Sequence, residues 1–278
     1  MIDRLKVMWA VSLHETGRHL ASQRMLLLAP LILFFLGAAC WGFSDPRFIP
    51  PADITVDGPA GALFLASVVT VLVCTLAVVL VGFDAISRRR LTGELAIDLS
   101  QPMPRSDFAV TQLLGVWMAV MLPTLVGILI GVALIHEQMG AWPSALDLAV
   151  FILATGLLLW WYTCLQLLAS SMARDLGSAV TFGVGTWMLF TLLWVMVTAV
   201  VAAFNGVAVT DMTSPSWDAL SEQLDLLSPN GVYQLLLETR LAEDSQPQIA
   251  AGWIWFAALV WAGLPKFLFI WRIHRIKP

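Results

Sequence analysis

The residues able to do chemistry are few, and their spacing argues against most of it. His14-Glu15-Thr-Gly-Arg-His19 has the outline of a zinc motif. A helical zinc site, however, needs its histidines four residues apart on one face. Five apart, on a helix of 3.6 residues per turn, the two rings diverge by about 140°, so the stretch reads as the polar face of a solvated helix. Cys40, Cys74 and Cys164 are odd in number, widely spaced and embedded in apolar runs, which suits small buried hydrophobes and implies no disulfide framework. Met118 and Met121, with Cys74 and Cys164, are donors of the soft type that copper prefers, but within apolar helices they read as packing filler. No G-x-x-x-x-G-K-[ST] loop occurs, and Lys6, Lys266 and Lys277 all lack a preceding glycine, so this chain does not hydrolyse ATP. No catalytic residue, metal ligand or bound cofactor is predicted.

The elements that must carry these residues are set by composition. The chain has 278 residues, 59% hydrophobic and 12% charged. A soluble domain carries about 25% charge, so the solvent for most of this surface is lipid. A bilayer crossing takes about 20 mainly apolar residues. Six stretches qualify: 26–43, 61–83, 108–135, 148–173, 176–210 and 249–270. The fifth is 35 residues long, more than one crossing, and predicts an interfacial or re-entrant piece beyond a span of about 176–200. Lys266 is the one residue among Asp, Glu, His, Lys and Arg in all six, which argues against a proton-coupled transporter, an ion pump or a carboxylate-based intramembrane hydrolase.

Orientation follows from the cations. Thirteen of the 15 lysines and arginines fall in the lead (1–25), the second loop (84–107), the turn at Arg174 and the tail; only Arg47 and Arg240 lie in the alternate loops. The positive-inside rule then puts both termini in the cytoplasm. The expectation is an all-α integral membrane protein of the inner membrane, one six-span domain over 1–278. The first apolar stretch begins only after a 25-residue basic lead and runs straight into a full span, so no cleavable signal peptide is expected. With its basic residues used in fixing topology, the chain is not a nucleic-acid binder.

Within the spans, Gly127-Ile-Leu-Ile-Gly131 with Pro123, Tyr162-Thr-Cys-Leu-Gln166, and Gly183, Gly185 and Asn205 suit packing rather than catalysis, inside the chain or between subunits. Trp41, Trp142, Trp253 and Trp271 fit interfacial belts, whereas Trp117, Trp160, Trp161 and Trp194 fall at mid-span.

Three polar segments carry information. In the lead, Ile2, Leu5, Trp9, Leu13 and Leu20 form an apolar stripe suited to a helix on the inner leaflet. In the second loop, Arg88-Arg89-Arg90 would cost roughly 7–10 kcal/mol at mid-membrane, so the segment is cytosolic. Leu91, Leu95 and Leu99 predict one short helix over 85–101 with an apolar stripe for a partner groove. Pro102 and Pro104 stop it, and Ser106 is placed to cap the next helix with Asp107 in its first turn. The outer loop, 211–248, is acidic. Its Ser228-Pro-Asn-Gly signals a turn or a helix start, with Val232, Leu235, Leu236 and Leu237 expected on the membrane surface.

Phe83-Asp84-Ala-Ile-Ser, Thr92-Gly93-Glu94-Leu95 and Leu99-Ser-Gln-Pro-Met-Pro-Arg105 together resemble the loop after the second span of type 2 ABC exporter permeases, most of all the NosY-like permeases of nitrous oxide reductase copper-site maturation. The likeness extends to Ala173-Arg174-Asp175-Leu-Gly-Ser-Ala-Val180 and to Leu227-Ser-Pro229-Asn230-Gly-Val-Tyr233. The chain departs at Thr111-Gln112, where the family usually has glycine-lysine, and at the basic run 88–90. The resemblance implies a permease working as a pair of copies with two ABC ATP-binding subunits, which carry the ATP and magnesium. It implies a cytosolic coupling surface of Asp84, Arg88, Arg89, Arg90, Gly93, Glu94, Leu95, Arg105, Arg174 and Asp175. Outside, Pro229, Asn230 and Tyr233 become a gate or a contact for a periplasmic partner. Three activities stay open: export, a non-transporting scaffold that relays motion, and an autonomous channel.

Overall fold

The structure is a computed structural model and describes residues 2–48, 56, 58–209, 214–242 and 247–276. Thr210 and Lys277, parts of the outer loop at 211–213 and 243–246, and the side chain of Ile2 lie outside the described residues. Every regular element among those described is a helix, and the first are α1 (Ile2–Leu20) and α2 (Gln23–Phe43). Next come α3 (Pro59–Val69), a π-helical turn (Thr70–Cys74) and α4 (Thr75–Gly82), followed by α5 (Ser87–Thr92) and α6 (Glu94–Ser100). The long helices α7 (Arg105–Met139) and α8 (Ala145–Met172) form the centre. The chain continues through α9 (Leu176–Thr191), α10 (Trp194–Phe204), α11 (Pro215–Asp225), α12 (Pro229–Leu241) and α13 (Ala251–Arg275).

Five helical runs are long and apolar enough to cross a membrane, and the α9–α10 pair, bent by 56°, makes a sixth if counted as one span. The bend answers the excess length of 176–210. At its corner the amides of Leu192 and Leu193 both donate to the carbonyl of Met188, 2.9 Å from each. The regular ladder is lost there, and freed carbonyls in an apolar setting need other donors.

Close approach is bought with missing side chains. A Cβ at Gly127 would stand 2.8 Å from Leu36 Cδ1, and one at Gly131 would stand 2.5 Å from Cys40 Sγ, so this glycine pair packs α7 against α2 within the chain. At 35 residues, α7 is about 52 Å long at 1.5 Å per residue and outruns the hydrocarbon core. On its first turns lies α1, where a Cβ at Gly115 would meet Glu15 Cβ at 2.6 Å. Leu5, Trp9, Leu13 and Leu20 of α1 are exposed while Ser12, Glu15 and Thr16 are buried. The polar face thus docks on the protein and the apolar stripe looks outward, as a helix lying on a leaflet requires.

Three expectations are corrected. The single helix over 85–101 is two, because Gly93 takes a left-handed conformation (φ 82°) that ends α5 and starts α6. Ser106 does not cap α7, which begins at Arg105 after Pro104; its hydroxyl donates to Asp107 Oδ1 at 3.2 Å. Val232, Leu235, Leu236 and Leu237 are buried, since α12 is wedged among α3, α8 and α13 instead of lying on a surface.

Candidate functional site

The segments rich in cations gather at one end of the bundle, around α5 and α6. The start of α5 has no cap of its own; Ser170 Oγ of α8 accepts from the amides of Ile86 and Ser87, 3.1 Å from each. Each arginine of the run then does something different. Arg88 pairs with Asp84 at 2.8 Å, and Asp84 also takes both terminal nitrogens of Arg24 at 2.8 Å. Arg89 is buried and joins Glu15 of α1 (2.7 Å) to Asp98 of α6 (2.8 Å). Arg90 donates to the carbonyl of Ala173, where α8 ends.

The loop is thereby braced against α1, α2 and the end of α8, and only part of its surface remains open. Leu95 is buried, whereas Glu94 is exposed and Leu91 and Ile97 are 54% and 64% exposed. Exposed apolar side chains on a charged segment held from behind are what a partner's groove takes up. Beside the loop, Asp175 caps α9 by accepting from the Ser178 amide at 2.7 Å, which holds its carboxyl below the usual carboxylate range; Arg174 is exposed next to it. Arg105 stands apart. Its guanidinium donates to the carbonyls of His274 (3.0 Å) and Ile276 (2.9 Å), clamping the negative end of α13.

At the opposite end, α12 meets the bend of α9–α10. Ser228 Oγ accepts from the Gly231 amide at 3.3 Å and Pro229 fills the first turn, the local reason that α12 starts here. Asn230 donates to the carbonyl of Phe190 (3.0 Å) and to Thr191 Oγ1 (3.1 Å), and accepts from Tyr162 OH at 2.9 Å. Tyr233, buried, shares a hydrogen bond with Thr155 Oγ1 at 3.2 Å. Both tyrosines of the chain thus hydrogen-bond within the bundle. Trp187 Nε1 donates to Thr75 Oγ1 at 2.8 Å, tying α9 to the residue after the π turn, and Trp194 Nε1 donates to Asp225 Oδ1 at 3.2 Å. Burial raises the Asp225 carboxyl to about 6 and that of Glu238 to about 7, with nearby carboxylates pushing the same way.

The sequence reading missed Glu15, Asp98, Ser170 and Phe190. Glu15 was visible as an acid on the polar face of the lead helix; a backbone carbonyl such as that of Phe190 leaves no sequence signal. Among the described residues, no three His, Cys, Asp or Glu side chains converge as a metal site would require.

Residues 9–270 match the model of a family described as ABC-2 family transporter protein. The chain belongs to this family. As an ABC-2 transporter protein it is a multi-pass permease subunit, and an ABC transporter of this architecture implies a separate nucleotide-binding partner subunit. The chain is also 24% identical, over 272 residues covering 93% of its length and 94% of the relative's, to a probable ABC transporter permease protein NosY of Pseudomonas aeruginosa.

Proposed function

We propose that the chain is the six-span permease of an ATP-driven exporter, with α9–α10 as the fifth span and both termini cytosolic. Two copies pair under two ATP-hydrolysing subunits in the inner membrane. The loop of α5 and α6 passes their closure to the spans through Arg89, Arg90 and Ser170. Differential contact with the ATP-bound partner is what such coupling needs, and the braced but outward-facing Leu91, Glu94 and Ile97 are the observation that supports it. Arg88, Arg174 and Asp175 extend this surface, whereas Arg89, Leu95 and Arg105 act from beneath it. At the other end, Pro229, Asn230 and Tyr233 work as an internal gate against the bend, since they pack on this chain's own helices. The likeness to NosY-like permeases extends the proposal to metal-centre maturation with a periplasmic partner.

Purification from native membranes with identification of every co-purifying polypeptide tests the assignment. The ATPase is expected with the native chain and lost with Ile97→Asp, while Glu94→Ala lowers stimulation of ATP hydrolysis. Vectorial transport by the isolated chain without a companion would overturn it. The relay reading has its own support in the direct linkage of α11–α12 to the bend, through which motion of the fifth span would displace outer-loop helices. In sealed vesicles, ATP-driven cargo accumulation favours export; partner remodelling without cargo favours relay.

A further inference from the structure

Where α1 turns into α2, a cleft of about 510 Å³ opens, walled by Arg18, Arg24, Arg88 and Arg89 together with Asp84 and Glu94. Its charges are unevenly distributed. Arg89 is balanced from behind by Glu15 and Asp98, with Arg18 sharing Glu15. Arg24 and Arg88, however, share the single carboxylate Asp84, so at that corner two guanidiniums meet one acid. Glu94 is exposed, where solvent and salt screen its charge. His19, also on the wall, has a buried Nε2 with no partner, and burial holds this imidazole below the usual histidine range.

The rim identifies the medium. Leu20, Leu26 and Leu27 flank the turn and are exposed, the last two by 74% and 70%. They continue the outward apolar stripe of α1, so a polar cleft at headgroup depth borders side chains that meet acyl chains. Guanidiniums are the groups that match phosphate oxygens in this setting.

We propose that this cleft holds the phosphodiester headgroup of a glycerophospholipid from the leaflet on which α1 lies, with Arg24 and Arg88 donating to the phosphate. The bound headgroup would join the α1–α2 turn to the start of α5. It goes beyond the proposed coupling role and uses a readout independent of ATP.

Native mass spectrometry of the full chain in detergent, titrated with phosphatidylglycerol, tests it. The native chain is expected to keep one lipid adduct, at least tenfold weakened by Arg88→Gln and more by Arg24→Gln with Arg88→Gln, but unchanged by Arg174→Gln. Arg88 is a largely exposed side chain, so its variant keeps the test open should the double variant not fold. Millimolar inorganic phosphate is expected not to displace the adduct. Displacement by phosphate alone, or an adduct indifferent to Arg88→Gln, would overturn the proposal.

Discussion

The side-chain amide of Asn230, at the start of α12, donates to the main-chain carbonyl of Phe190 at 3.0 Å, two residues before the α9–α10 corner. The corner frees carbonyls, and Asn230 supplies a donor to one of them while its own oxygen accepts from Tyr162. Asn230→Leu leaves the Phe190 carbonyl and the Tyr162 hydroxyl short of partners in a low-dielectric site, a loss of about 2 kcal/mol. Tyr162→Phe removes only a hydroxyl and costs about 1 kcal/mol. Thermal unfolding in detergent checks the order. Equal, unshifted melting for both would mean that the corner holds without its pin.

Glu15 and Arg89 form a buried ion pair at 2.7 Å that fastens α1 to the loop of α5 and α6. Removing Glu15 leaves buried Arg89 with Asp98 alone, so Glu15→Ala should cost about 1.5–3 kcal/mol, whereas replacing both Glu15 and Arg89 with methionine should recover part of that. The double variant is expected to fold yet couple poorly to ATP hydrolysis, because α1 and α5 then share packing but no charge. Melting temperature and ATPase stimulation, measured on the same preparations, separate the two effects.

The α11–α12 hairpin should be sensitive to pH. Burial raises Asp225 to about 6, against the opposing hydrogen bond from Trp194, and Glu222 adds to the rise; burial, then Asp225 and Glu222, raise Glu238 to about 7. Arg240, the cation of this hairpin, is engaged with Asp147 at 2.8 Å. A carboxyl whose folded pKa is raised binds its proton better when folded, so its stabilisation is complete below the unfolded value and lost as pH climbs through the folded one. The chain should therefore melt higher at pH 5 than at pH 8. Asp225→Asn with Glu238→Gln should flatten the difference; an unchanged slope would place the titration elsewhere.

The apolar runs made most long helices legible, because a lipid-facing span needs only length and hydropathy. The surplus length of 176–210 also announced a second piece. Its corner was not legible, since two leucines with no breaker between them make it and α12 holds it from afar. Leu91, Leu95 and Leu99 looked like one stripe because helical spacing was carried across Gly93, which the left-handed backbone interrupts. The three arginines read as one basic surface. Arg89 is instead interior, and its partner Glu15 lies 74 residues away, a pairing that tertiary contact alone creates. The run from Val232 to Leu237 read as surface-bound because the space between α3, α8 and α13 exists only once the bundle is assembled.

Two glycines with different surroundings separate packing within the chain from packing between copies. At Gly131 a Cβ would stand 2.5 Å from Cys40 Sγ and 3.1 Å from its Cβ, a short side chain that cannot swing far, so Gly131→Ala must push α7 off α2. Overpacking of this kind costs about 1–3 kcal/mol, and Cys40→Gly should relieve it. At Gly185 on α9 nothing lies within 4 Å, and nearby Phe182, Met188 and Leu189 are exposed. Gly185→Leu is therefore expected to leave the melting of the chain unchanged. If a second copy lies against α9, the same substitution lowers the dimer fraction counted by single-molecule photobleaching in nanodiscs. A normal dimer fraction with Gly185→Leu would move the contact between copies to another face, while a lowered melting temperature would mean that α9 packs within its own chain more closely than its open surroundings indicate.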